Sequence, residues 1–238
     1  MAHSLIEAWV SSGELLASAN GISHRAGNDI VLPKDLARLW TERLERVMLV
    51  LDPAVAEWGR WSLEVGALLG RSVDGKDWQG VCNQLGFEAP QTVIDLAVSE
   101  GLLWPTQSGW RFQHGTLRDA LLIESENEGR LLELHGAIAD YLEAHQSAEK
   151  GCRLRCGEHR LGAGELLRGF ELLLEAESEA RSAGDDLEAE RALEMAEQAT
   201  QQMTPEERAE RSVQIDRRRV DLLRIRGAWT IATKAAVS

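Results

Sequence analysis

Between Pro90 and Ile123 the hydrophobic pattern changes period twice, from helix to strand and back to helix. After Pro90, the residues Val93, Ile94, Leu96, Ala97 and Val98 repeat at helical spacing and stop at Gly101. Over 102–113 the spacing predicts an aromatic hairpin carrying Trp104, Trp110 and Phe112 around a Gln107-Ser108-Gly109 turn. The hairpin empties into His114, at the mouth of a second amphipathic helix that begins with Leu117, Ala120, Leu121 and Leu122. A histidine there can be a core residue, a helix-cap residue or a sensor of a bound phosphate. The spacing leaves all three readings open.

A hairpin cannot hold itself together in water, so neighbouring helices must cover it. Upstream, Pro33 is expected to open a long helix with an apolar face of Leu36, Leu39, Trp40, Leu44, Val47, Met48 and Val50, broken at Asp52-Pro53. A second helix runs from Pro53 to about Leu69, and Asp74 is a candidate N-cap for a third that buries Trp78, Val81 and Leu85. The helices from Pro53, Asp74 and Pro90, followed directly by a two-stranded hairpin, have the element order of a winged helix. At the start of the chain, Ser4–Ser12 reads as a short helix, and Asn20-Gly21 is a hairpin signal between Leu15-Leu16 and Ile22-Ser23-His24.

From Thr116 onward the pattern is helical to the end. Leu131, Leu132, Leu134, Ile138, Tyr141 and Leu142 form one face, and helices follow over 152–163, 165–183, 186–203 and 205–226. Gly164, Gly184 and Thr204-Pro205 separate them, and a seam of Ala176, Ala180, Ala183, Ala189, Ala192, Ala196 and Ala199 runs along their contact faces. Punctuated helix pairs with small residues at the contact suggest tetratricopeptide-like stacking. With Leu, Ala, Glu and Arg dominant over strand formers, the expected fold class is mainly α.

Chemistry is narrowed mostly by exclusion. A net charge of −13 argues against nucleic-acid or anionic-membrane partners, which need a basic surface. The helix 90–100 that a winged helix would lay in a DNA groove has no Lys or Arg and two acids, Asp95 and Glu100. The run Arg217-Arg218-Arg219 with Arg224 and Arg226 is matched by Glu206, Glu207, Glu210, Asp216 and Asp221, as on a solvated helix face. No stretch has the length of a membrane span, and the N-terminus lacks the signal-peptide pattern. With 3 Cys, an odd count, a reducing cytoplasmic location is expected.

The string Gly66-Ala67-Leu68-Leu69-Gly70-Arg71-Ser72 is one residue short of a phosphate loop and sits at a helix end, so it reads as helix termination. Cys152, Cys156 and His159 share a helix face at i, i+4 and i+7. They could hold a metal with a fourth ligand, or be half-buried thiols in a helix seam, the preferred reading. Cys82 reads as a core residue. His3, His24, His135 and His145 are expected in unrelated surface or loop settings, and the carboxylates Glu124, Glu126 and Glu128 as solvated charge. No Ser-His-Asp or Cys-His grouping is suggested.

The string Trp110-Arg111-Phe112-Gln113-His114-Gly115-Thr116-Leu117-Arg118-Asp119-Ala120-Leu121 resembles the "FxHxxLRxAL" junction of bacterial STAND-class (AAA/NB-ARC-like) signalling ATPases. Asp29 to Leu36, followed by Trp40, Arg43, Leu44 and Val47, is similar to the family's "lPxsL…lW..RL" helix. Trp61 to Gly70 is similar to its "LElaAvLG" helix, and Val93 to Leu103 to its "L…Gll" helix before the wing. Residues 158–203 are similar to its repeat pattern, so the likeness runs over most of the chain.

The resemblance implies residues 1–33 as a lid or linker remnant, 34–125 as a winged-helix module and 126–238 as tetratricopeptide-like helices. It implies a non-catalytic signal-transduction segment in which the winged helix couples nucleotide state to a helical region that binds a protein. Its partners would be that protein and an ATPase core in cis or trans. The chain itself contains neither the family's phosphate loop nor its Mg²⁺-binding acid. No cofactor is therefore expected here, and ATP or ADP would enter only with an upstream core. In relatives a winged-helix His contacts the nucleotide's β-phosphate. His114 is the matching position, although its neighbours are Gln113 and Gly115 rather than Met and Asp. Trp110, Phe112 and Arg118 would form the interdomain junction, with no catalytic or metal site. A transcription regulator that uses the winged helix on DNA is the alternative.

Overall fold

A computed structural model describes residues 15–18, 21–24, 34–146 and 149–237, with side chains over 41–146 and 149–224. The expected helix at Ser4–Ser12, Pro33, and the side chains of Leu36, Leu39 and Trp40 lie outside the described residues. The chain is mainly helical, with small antiparallel sheets. Strands β1 (Leu15–Ser18) and β2 (Gly21–His24) pair with Ser18 opposite Gly21. Gly21 is therefore in the ladder, one residue away from the Asn-Gly turn expected.

Helices α1 (Lys34–Leu49), α2 (Pro53–Leu69), α3 (Gly75–Gln84) and α4 (Gln91–Ser99) follow. Their starts have local causes. Asp52 accepts from the Ala54 N–H at 3.0 Å, and Pro53 supplies a preset φ at the first position of α2. Asp74 caps α3 by accepting from the Lys76 N–H at 2.8 Å.

Between α2 and α3 runs β3 (Ser72–Asp74), which the sequence pattern missed. With β4 (Leu103–Pro105) and β5 (Gly109–Phe112) it forms a three-stranded sheet in the order β3-β5-β4. The expected two-stranded hairpin is present as β4 and β5, and β3 joins it as a third strand. Three residues are too few to show a period, and β3 exists because Val73 and Asp74 pair with Trp110 and Gly109 of β5.

The helices α5 (Gly115–Asn127), α6 (Leu131–His145), α7 (Cys152–Gly162), α8 (Leu166–Ser182), α9 (Asp186–Thr200) and α10 (Pro205–Val237) complete the chain. From α6 to α10 each helix packs on the next. Gly164 and Gly184 adopt positive φ of 80° and 73° where α7 and α8 end. Of the alanine seam, Ala176, Ala180, Ala189, Ala192, Ala196 and Ala199 are buried, whereas Ala183 is exposed.

The main core gathers Leu63, Val65, Trp78, Val81, Cys82, Val93, Phe112 and Leu121, and passes through Leu134, Ile138 and Leu142 of α6 to Cys152, Cys156 and Leu172. A second core in the tail holds Phe170, Leu173, Leu193, Ala196 and Ile215. Helix α6 is therefore shared: one flank closes the N-terminal core and the other supports the tail.

Candidate interdomain junction

The segment 103–118 is positioned by its own hairpin and by the end of α2. At the turn, the Thr106 N–H donates to the Gly109 carbonyl at 2.9 Å and the Gly109 N–H to Thr106 Oγ1 at 3.1 Å. Alternation then turns Trp110 and Phe112 inward, 2% and 1% exposed, while Trp104 and Arg111 face out. The Arg111 guanidinium lies 5.4 Å from the Trp104 ring centre. Inside, Trp110 meets Phe112 edge-on at 5.1 Å and Trp78 at 6.0 Å. Its six-membered ring lies against Gly66, where a Cβ would collide with it. Gly66 thus ends in a packing role, and α2 stops at Leu69 with Gly70 at φ 133°, as helix termination requires.

His114 is exposed at the N-cap of α5, in extended conformation (φ −127°, ψ 132°), with no side-chain cap hydrogen bond. Its carbonyl accepts from the Leu117 N–H at 3.2 Å. The core-residue reading is removed by the exposure, and the side-chain cap by the geometry. Nearby, Trp110 Nε1, Gln113 Oε1 and Thr116 Oγ1 are buried without a hydrogen-bond partner among the described residues. Arg118 reaches back from α5 and donates through Nε to the Ala67 carbonyl at 2.7 Å, satisfying a last-turn carbonyl of α2. Trp110, Phe112 and Arg118 therefore meet at the α2–β5–α5 contact, and His114 stands on its surface.

The other sequence candidates resolve differently. Cys152, Cys156 and His159 do share a face of α7, but all three are buried. Cys152 Sγ lies 3.4 Å from Cys156 Sγ, and burial pushes the Cys156 thiol up to about 12. Among the described residues no group of three or more His, Cys, Asp or Glu could hold a metal ion. His159 faces His135 of α6, Nδ1 to Nδ1 at 3.0 Å. The expected loop or surface setting for His135 is thus corrected: it flanks the apolar stripe of Leu134, Ile138 and Leu142. That flanking position was the available signal. His145 does end α6 exposed, its Nδ1 2.9 Å from the Tyr141 carbonyl.

Two buried carboxylates were also missed. Glu64, fully buried, takes a two-point contact from Arg130, Nε to Oε2 at 2.9 Å and Nη2 to Oε1 at 2.6 Å. Glu177, also fully buried, pairs with Arg218 at 2.5 Å and Arg181 at 2.9 Å. Arg218, expected on a solvated face, is instead a half-buried tie from α10 to α8. Glu124, expected as solvated charge, binds Arg60, which also holds Glu45 at 2.7 Å. A lone Glu inside the apolar run Trp61–Gly70 was a legible hint of a buried partner.

No helix among the described residues is long and apolar enough to cross a membrane. No family model, curated protein or solved structure matches the chain.

Proposed function

We propose that the chain is a non-catalytic regulatory and protein-interaction segment of a bacterial STAND-class signalling ATPase, with a winged-helix module (34–125) joined to tetratricopeptide-like helical hairpins (126–238). The observation that carries this reading is the order α2-β3-α3-α4-β4-β5 with strand order β3-β5-β4, leading straight into α5 through His114. A winged helix has that order of elements, with a first strand that pairs with the hairpin. Support for the tail comes from sequential helix pairing, glycine ends and the buried alanine seam.

A groove of about 540 Å³ opens between residues 149–151, α8 and the first turn of α9, with Ala176 and Ala180 at its floor. It has room for a segment of a bound protein. In an assembly with an ATPase core, the exposed His114 and the N-terminal amides of α5 would face a nucleotide phosphate.

DNA is disfavoured as a partner. The outward residues of α4 and its end include Gln91, Thr92, Asp95, Ser99 and Glu100, which place negative charge where phosphates would approach. The purified chain should show no phosphate release from Mg·ATP, and a labelled random-sequence duplex should give a flat anisotropy titration at low salt. Turnover above the buffer blank would remove the non-catalytic reading, and salt-dependent duplex binding would favour the transcription regulator. An in-frame phosphate loop in the genomic sequence immediately upstream is the expected companion.

A further inference from the structure

The contact between α6 and α7 contains chemistry that neither half needs for packing. His135 and His159 approach with Nδ1 atoms 3.0 Å apart and ring centres 5.0 Å apart. Two Nδ1 atoms at that distance hold one hydrogen between them: one ring donates, and the other must be neutral at Nδ1 to accept. His159 is 7% exposed. The cradle is shaped for this arrangement, because any Cβ at Gly162 would run into the His135 ring.

The nearby acids are engaged by arginines, Asp77 of α3 by Arg155 at 3.9 Å among them. On α7, Arg155 acts on His159 with a repelling field. Arg160 occupies the nearby carboxylates, reaching Asp140 at 2.7 Å and Glu143 at 2.8 Å on α6 and Glu165 at 3.2 Å before α8. Arg168 of α8 holds Glu143 at 3.0 Å, and Arg191 of α9 lies 3.6 Å from Glu158 of α7. Among the described residues neither imidazole has a carboxylate partner. Burial, then the fields of His135 and Arg155, push His159 down to about 3, and burial lowers His135.

We propose that the His135–His159 contact is an acid-released latch between the N-terminal core and the helical tail. Once both rings are protonated the accepting Nδ1 is gone, and two imidazolium rings face each other where no carboxylate pairs with either. Helix α7 then separates from α6. The sign follows from linkage: both histidines are held below the value near 6.5 of a free imidazole, so the open form binds more protons. The latch is fully engaged above about pH 6.5 and is lost progressively as pH falls below it. Each proton taken up on opening multiplies the open population by about tenfold per pH unit below that point. The latch does not depend on what the tail binds.

Hydrogen exchange of the intact chain, read by mass spectrometry and corrected for intrinsic rates, tests this. Between pH 7.5 and 5.0, amides in 131–162 should exchange at least about tenfold faster, while those in 63–112 hold their protection. In His159→Gln and in His135→Gln the acceleration should shrink, and in the double variant it should vanish. Equal acceleration in both regions would mean ordinary acid unfolding and would overturn the latch, as would unchanged exchange or acceleration that persists undiminished in the double variant. If the variants do not fold, imidazole nitrogen shifts of the wild-type chain decide. Two rings titrating near 6.5 in an otherwise native spectrum refute it, and a pair that takes up protons only as 131–162 opens supports it.

Discussion

The contact of Glu64 with Arg130 shows how much one buried charge depends on its partner. Glu64 is fully buried on α2, and Arg130 reaches it from just ahead of α6, with its guanidinium 5.6 Å from the Trp61 ring centre. Hydrogen bonding to Glu64 raises the Arg130 pKa further, against the opposing cost of burial. Removing one member of such a pair leaves an uncompensated charge inside, at a cost of roughly 3–5 kcal/mol. Arg130→Ala should therefore lose about that much in urea unfolding, whereas Glu64→Leu with Arg130→Met should recover most of it. An Arg130→Ala protein within about 0.5 kcal/mol of wild type would show that water replaces the pair. The same reasoning applies to Glu177, which two arginines share.

Among elements, α7 and α8 approach closely, and glycine makes it possible. A Cβ on Gly157 would lie 2.8 Å from Leu173 Cγ and 3.2 Å from the Gly169 carbonyl, and one on Gly169 would meet Leu161 at 2.6 Å. Each helix thus uses its glycine to seat a leucine of the other. Gly157→Ala must push the helices apart or force Leu173 off its rotamer, costing about 1–3 kcal/mol. Gly164→Ala meets no neighbour within 4 Å and pays only for its positive φ, about 1–2 kcal/mol. Thermal unfolding should show a loss in both, but only Gly157→Ala should also speed exchange along both α7 and α8. Equal exchange profiles for the two variants would contradict the interlock. The glycines were visible in the sequence. Which of them ends a helix could be read from its place between periodic runs, but which admits a neighbour could not.

Across the whole molecule, the core that passes through α6 should make the two halves unfold together at neutral pH. Leu134, Ile138 and Leu142 pack with the N-terminal core, which continues to Cys152, Cys156 and Leu172 of the tail. With Trp229 changed to Phe, every remaining indole lies upstream of residue 111, so tryptophan emission reports the N-terminal half and far-UV dichroism weights the helices of the tail. At pH 7.5 the two denaturation curves should coincide. A fluorescence midpoint well separated from the dichroism midpoint would mean that the halves are independent units.

Helix existence and most boundaries were legible because they depend on local chemistry: Asp52, Asp74, Pro53 and the positive-φ glycines act within a few residues of themselves. The inward turn of Trp110 and Phe112 follows from strand alternation alone. Strand β3 was not legible, since three residues carry no period and its pairing comes from a segment far along the chain. The same holds for His135 and His159, for Glu64 and Arg130, and for Arg218 and Glu177. Each partner lies tens of residues away, and the meeting depends on helix rotation and approach, which side-chain packing sets after the elements exist. His114 marks the division. Its place between hairpin and helix is a property of the sequence, but its exposure at the N-cap of α5 was decided by how Trp110, Phe112 and Arg118 anchor against α2.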